Sequence, residues 1–358
     1  MSWLDEKLAE LGRREGYDYS VDGTRRKMVA QLDANENWQI PLGRMRAVMR
    51  VVAGIDPREY PDRAVDELRS HISRRVGVPA ACVVPCAGAD QAIDLLCQAF
   101  LRRGDRAVVV TPTFSMYTLR SAMAGAETMT ASMGPDFTLP SREVAAQAGK
   151  GGMVFVCSPN NPTGNQFDEG AVRALLESFP GLVVLDEAYV EFAEFSLSKL
   201  VAGYRNLAVL RTFSKAYGMA GLRLGYLLAS EEWAPEFLAK VQYPYPVSSI
   251  AAAVAIAMMK NRREVELWIR QVKEERSWLT SALGELPGVN VVDSQANFLM
   301  VSLPSDSTKV HAELLKGGIA TRNLGPILGF PNCLRVAVGT RMMNRAVVRC
   351  LKEAIVDE

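Results

Sequence analysis

GMVFVCSPNNPTGNQFDEGAVRALLESFPGLVVLDEAY (152–189) reads as an apolar strand, a proline-rich turn, an amphipathic helix and a second apolar strand. Neither strand alternates apolar with polar residues. A continuous apolar run bounded by turn residues marks a strand covered on both faces. AVVVT (107–111), LAVLRTFS (207–214) and LRLGYLLA (222–229) read the same way, and DQAIDLLCQAFLRR (90–103) has the period of a helix. Strands of this kind alternating with helices predict an α/β fold, with a mostly parallel central sheet flanked by helices.

The pattern changes beyond Val247. SSIAAAVAIAMMKNRREVELWIRQVKEERSWLTSALGEL (248–286) is helical in period, with Pro244 and Pro246 before it and Pro287-Gly288 after it. Alternating strands (289–303), a helix (307–318), a strand (333–340) and a terminal helix (342–356) follow. The sequence therefore predicts a smaller α+β domain over 251–358, a large domain over 36–250, and an N-terminal arm, 1–35, packing with the small domain.

Composition narrows the function classes. The chain has 358 residues, 49% hydrophobic and 23% charged, with 41 Lys+Arg against 40 Asp+Glu and a net charge of +1. That balance lacks the basic excess of a nucleic-acid binder. The longest apolar run, Ile250–Met259, is half the roughly 20 residues a membrane span needs. The first sixteen residues are amphipathic, without the apolar core of a signal peptide. A cytoplasmic protein is expected, with neither nucleic acid nor membrane as partner. The six cysteines show no zinc-site spacing, and there are only two histidines, His71 and His311. No metal is expected, and chemistry run by a cofactor or by Lys, Tyr and Asp gains weight.

Lys215, in RTFSKAYGMAGLRLGY (211–226), follows a predicted strand and precedes Gly218, Gly221 and Gly225. Ligands in α/β folds bind at such strand ends. Ser158–Gly164 is a turn after a strand, and Asp186 ends another, where a buried carboxylate requires a cationic partner. Gly88, Ala89 and Asp90 run into a helix and leave N–H groups free for an anion. Alone, each has a plain reading: an exposed lysine, a turn, a helix cap. Together, Asn161, Asp186, Lys215 and Arg223 stand at successive strand ends.

The motifs NNPTG (160–164), LDEAY (185–189) and SKAYGMAGLRLGY (214–226), in this order, resemble the fold type I pyridoxal-phosphate enzymes, the aspartate-aminotransferase superfamily. The resemblance spans about Leu32 to Thr340. It implies pyridoxal 5'-phosphate as cofactor, joined covalently to the Lys215 amine, with Asp186 on the ring nitrogen. Tyr189 and Asn161 would bond the ring 3-oxygen, and Phe114 would stack on the ring. Arg223, Ser214 and the N–H groups of Gly88, Ala89 and Asp90 would hold the phosphate. Tyr60, in REYPD (58–62), would reach the cofactor phosphate of a neighbouring subunit, giving a homodimer with shared active sites.

LDANEN (32–37) and LRVAVGTR (334–341) resemble the histidinol-phosphate aminotransferase branch. There, Arg335 and Arg322 would bind substrate phosphate, and Tyr17 or Tyr19 would close over the substrate. The sequence departs from the branch at Trp38, where proline is usual, and at Glu59, where arginine is common. The implied reaction passes an amino group from an amine or amino acid to a keto acid. Histidinol phosphate with 2-oxoglutarate is the first pair. A threonine-phosphate decarboxylase and an aromatic or other amino-acid aminotransferase are the alternatives. A non-catalytic regulator on the same fold would need an added DNA-binding domain, and the arm before Leu32 is too short and not basic.

Overall fold

The computed structural model describes residues 2–12, 28–134 and 136–356. Its N-terminal half opens with helix α1 (Trp3–Gly12), short strand β1 (Ala30–Gln31), α2 (Leu42–Val48) and α3 (Asp62–Val76). The central elements follow: β2 (Val83–Cys86), α4 (Ala89–Phe100), β3 (Arg106–Thr111), α5 (Met116–Met123), β4 (Glu127–Ser132) and α6 (Ser141–Ala148). Then come β5 (Met153–Cys157), α7 (Glu169–Ser178), β6 (Leu182–Asp186), β7 (Leu207–Thr212), β8 (Gly225–Ala229) and α8 (Ala234–Lys240).

Strands β2 to β8 form one seven-stranded sheet in the order β2-β8-β7-β6-β5-β3-β4. Only β8 runs against the others, pairing antiparallel with β2 and β7. Every residue of β5 and β7 is buried, because helices cover both faces of the sheet. Asp168 starts α7 by accepting the Ala171 N–H at 3.1 Å, a side-chain cap. Two strands carry weak sequence signals. β2 is four residues long and contains Pro85, and the edge strand β4 (ETMTAS) is largely polar. β8 begins at Gly225, later than the apolar run from Leu222, because Arg223 takes a left-handed backbone with φ +50°.

The helical stretch after Val247 divides at Asn261 into α9 (Ser249–Lys260) and α10 (Arg262–Gly284). α9 packs on α3, while α10 packs on the C-terminal elements. Those are β9 (Asn290–Val291), β10 (Phe298–Ser302), α11 (Ser307–Lys316), β11 (Ile319–Ala320), β12 (Arg322–Ile327), β13 (Phe330–Ala337) and α12 (Arg341–Val356). β12-β13-β10-β9 make an antiparallel four-stranded sheet. From the N-terminal arm, β1 pairs parallel with β11, and Leu32 bonds both Ala320 and Ala337 through its backbone. The apolar side chains of α1, Trp3, Leu4, Leu8 and Leu11, are exposed.

Parallel strands deliver their C-terminal ends to one edge of the sheet. Chain order reverses between β3 and β5: β4 lies outside β3, while β6 and β7 continue past β5. The crevice at such a reversal is where open α/β sheets bind ligands.

Candidate active site

Asp186 is the last residue of β6 and is buried. The Ala188 N–H donates to its Oδ1 at 2.9 Å, and the Tyr117 hydroxyl donates to its Oδ2 at 2.7 Å. Burial pushes the Asp186 carboxyl up to about 6, and no lysine or arginine among the described residues forms an ion pair with it. A carboxylate so enclosed carries its charge at a cost that a neighbouring cation would offset. The protonated nitrogen of a pyridinium ring is such a cation.

Lys215 stands three residues past the end of β7 and is half-buried. Its Nζ donates to the Ala34 carbonyl at 2.8 Å and lies 5.8 Å from the centre of the Tyr189 ring. Burial, and then the charge of Arg335, lower its amine to about 8. An amine in that range is available as nucleophile and as base near neutral pH. Tyr189 is buried, and its hydroxyl accepts the Asn35 amide at 3.1 Å. Accepting there leaves the phenolic proton free to be donated.

Residues 32–37 form a strap that ties the two sheets together over this lysine. Arg335 on β13 donates to Asn161 Oδ1 at 2.6 Å and to the Asp33 carbonyl. Asn297 donates to the Asn35 carbonyl at 2.9 Å, and Asn37 to the Ala216 carbonyl at 2.9 Å. Asn161, Tyr189, Lys215 and Arg335 therefore converge, although they come from four separate segments.

A second group lies at the start of α4. The helix has no side-chain cap, and Gly88 precedes it with φ +83°. Arg223 reaches across to Asp90, with Nη2 at 2.8 Å from Oδ2. A Cβ at Gly88 would stand 2.9 Å from Arg223 Nη2, and one at Gly225 would stand 2.8 Å from the Ala89 nitrogen. These glycines keep a cradle open between a helix N-terminus and a guanidinium, which suits a phosphate. One expectation is corrected here. The Gly88 N–H donates to the Cys86 carbonyl at 2.8 Å and is not free for an anion. Gly88 matters for its missing side chain, and the expected donors reduce to Ala89 and Asp90. Ser214 is buried beside Lys215.

Phe114 precedes α5 and meets Tyr117, the aromatic that bonds the Asp186 carboxylate, edge to face at 5.7 Å. Arg322 and Arg335 are direct cross-strand partners on β12 and β13. Tyr60 is not brought into this group. It is 74% exposed and stacks on Tyr245 at 4.3 Å. Tyr17 and Tyr19 lie outside the described residues. Sequence reasoning did not single out Tyr117, Ala34 or Asn35 as parts of the site. LDANEN marks the strap as a motif, but a backbone carbonyl that receives a lysine leaves no sign in residue types.

The residues fit pyridoxal phosphate at three points: a buried carboxylate with no ion-pair partner among the described residues, a lowered lysine, and an open cradle for an anion. The fold and this site define a pyridoxal-phosphate-dependent aminotransferase. Residues 27–351 match the family model for aminotransferase class I and II, and the chain belongs to that family. A histidinol-phosphate aminotransferase of Bacteroides fragilis is 38% identical over 327 residues, 90% of each chain. Among solved structures, histidinol-phosphate aminotransferase from Sinorhizobium meliloti in complex with pyridoxal-5'-phosphate is 24% identical, with a TM-score of 0.84 over 93% of this chain and 92% of that one. L-threonine-O-3-phosphate decarboxylase from Porphyromonas gingivalis is 23% identical, with a TM-score of 0.78 over 92% of this chain and 100% of that one. Among the described residues, no helix is long and apolar enough to cross a membrane.

Proposed function

We propose that the chain passes the amino group of histidinol phosphate to 2-oxoglutarate, giving imidazole acetol phosphate and glutamate. The observation that carries this reading is the pairing of Arg322 with Arg335 across β12 and β13. Directly opposed residues of an antiparallel pair share a face, and like charges there repel. A dianionic phosphate between two guanidiniums turns that repulsion into attraction. A single carboxylate needs only one of them. The 38% identity to a histidinol-phosphate aminotransferase over 90% of the chain supports the same substrate.

Bound pyridoxal phosphate supplies an electron sink for the pair left when a bond to the substrate Cα breaks. The protein does the rest. Asp186 keeps the ring nitrogen protonated, Tyr189 and Asn161 bond the 3-oxygen, and Phe114 covers the ring face. Ala89, Asp90, Ser214 and Arg223 hold the cofactor phosphate. The Lys215 amine would carry the proton taken from the substrate Cα. Its lowered basicity suits a proton carrier near neutral pH.

The same reading makes the working unit a cytoplasmic homodimer, in which Tyr60 reaches the cofactor phosphate of the partner subunit. Its exposure and its stacking on Tyr245 suit a side chain directed outward. It also assigns 36–250 to a large domain and 251–358 with the arm to a small one, so that the strap 32–37 spans the junction over Lys215.

Purified holoenzyme mixed with 2-oxoglutarate and, in turn, histidinol phosphate, phosphothreonine, phenylalanine, tyrosine and aspartate tests the substrate. Glutamate should form fastest with histidinol phosphate, without carbon dioxide. Carbon dioxide from phosphothreonine with no glutamate would make the chain a decarboxylase.

A further inference from the structure

Arg211 is the fifth residue of β7, four residues before Lys215, and it is buried. Its Nη1 donates to Glu187 Oε2 at 3.0 Å and to Ser196 Oγ at 3.3 Å, and its Nη2 donates to Glu191 Oε1 at 2.7 Å. Glu187 in turn accepts the Leu197 N–H at 2.7 Å and the Ser196 hydroxyl at 2.8 Å. One guanidinium thus gathers the beginning, the middle and the end of the loop 187–197. That loop begins directly after Asp186 and carries Tyr189 between the two glutamates.

We propose that Arg211 is a positioning residue: gripped by Glu187 and Glu191, it holds the loop against β7 and so sets where the Tyr189 hydroxyl stands relative to the Lys215 amine. The inference rests on the reading of Tyr189 as the partner of the cofactor 3-oxygen. A buried ion network is a poor source of stability, since desolvating its charges offsets much of their attraction. Its use here is geometric. A planar fork can bond two carboxylates at a fixed angle, and a lysine ammonium cannot. Glu187 is additionally anchored by the backbone bond from its own N–H to the Leu210 carbonyl, whereas the Glu191 carboxylate is held to β7 by the guanidinium.

The consequence is chemical. A phenol donating to the 3-oxygen favours the deprotonated form of the bond between cofactor and lysine. Displacing the phenol raises the pH at which the bound cofactor changes its absorbance. Arg335, Asp186, Cys157 and Asn35 also face Tyr189, and Tyr226 and Tyr217 face Arg211. None of these is altered by the variants below.

Holoenzyme is titrated spectrophotometrically as wild type, Arg211→Lys, Tyr189→Phe and the double variant. Arg211→Lys should move the transition upward by about half a pH unit or more, and Tyr189→Phe should move it further. In the double variant, Arg211→Lys should add nothing, to within about 0.2 pH unit. A wild-type titration in Arg211→Lys, or shifts that simply add, would overturn the proposal. If Arg211→Lys does not fold, as judged by gel filtration and circular dichroism, Glu191→Gln replaces it. Glu191→Gln removes one charge and leaves the Glu187 pair in place, and the same two outcomes decide. A holoenzyme with no borohydride-reducible bond to Lys215 would instead defeat the reading of the site itself.

Discussion

The Tyr117 hydroxyl on α5 donates to Asp186 Oδ2 at 2.7 Å, joining residues 69 positions apart in the chain. Both are buried, and the bond holds one carboxylate oxygen while the Ala188 N–H holds the other. Asp186 is therefore oriented before any ligand arrives. Removing the phenol leaves a buried acceptor one partner short, at about 1–3 kcal/mol. Tyr117→Phe should weaken cofactor binding about tenfold or more by equilibrium dialysis. An unchanged dissociation constant would mean the bond is incidental.

Asp186 also makes the cofactor-free protein sensitive to pH. The folded carboxyl keeps its proton to about pH 6, whereas an ordinary aspartate releases it near 3.8. The folded state thus binds protons more tightly, and stability falls as pH rises through that interval. Above it, the buried charge costs about 3 kcal/mol. Cofactor-free Asp186→Asn should melt higher than cofactor-free wild type at about pH 8, with the gap closing towards about pH 4. A gap independent of pH would refute the assignment.

Lys215 titrates in the other direction. Burial and Arg335 lower its amine to about 8. Only the neutral amine attacks an aldehyde, so covalent loading with pyridoxal phosphate should quicken up to about pH 8 and then level off. Borohydride trapping at timed intervals reads this rate. Lys215→Ala should trap no adduct and lose about 10²–10⁴-fold in transamination.

Arg335 and Arg322 should separate substrate from cofactor. Charge-assisted bonds to phosphate contribute about 1.5–3 kcal/mol, so Arg335→Ala or Arg322→Ala should raise KM for histidinol phosphate about 10–100-fold. Cofactor affinity should change far less, and histidinol without its phosphate should hardly distinguish the variants from wild type. Equal loss of cofactor and substrate binding would make these arginines structural.

Gly88 lies where a side chain cannot. Its φ of +83° disfavours any L residue, and a Cβ would stand 2.9 Å from Arg223 Nη2. Gly88→Ala should cost about 1–3 kcal/mol in backbone strain. It should also displace Arg223, so that inorganic phosphate competes less well with pyridoxal phosphate for the variant than for wild type. Competition by phosphate during loading measures this.

Much of the sheet could be read from residues 107–229, because strands buried on both faces must be apolar throughout. The exceptions follow from the same physics. β2 is short and proline-bearing, and the polar β4 lies at the sheet edge, where one side has no strand to pair with. The helical pattern after Val247 gave no sign of the break at Asn261, since both helices keep apolar residues at helical spacing. Motif residues such as Asp186, Lys215 and Asn161 could be named because a side chain's chemistry is written in its type.

The sequence by itself determined the layered α/β fold, the family, and the acid, amine and arginines available for chemistry. Tertiary structure alone decided how they are aimed. It set Tyr117 on Asp186, turned the Gly88 N–H to Cys86, laid the Ala34 carbonyl on Lys215, and enclosed Arg211 between two glutamates. Those relations join segments up to 181 residues apart, as between Ala34 and Lys215. They depend on the direction and burial of particular atoms, and residue order carries no record of either until the chain has packed.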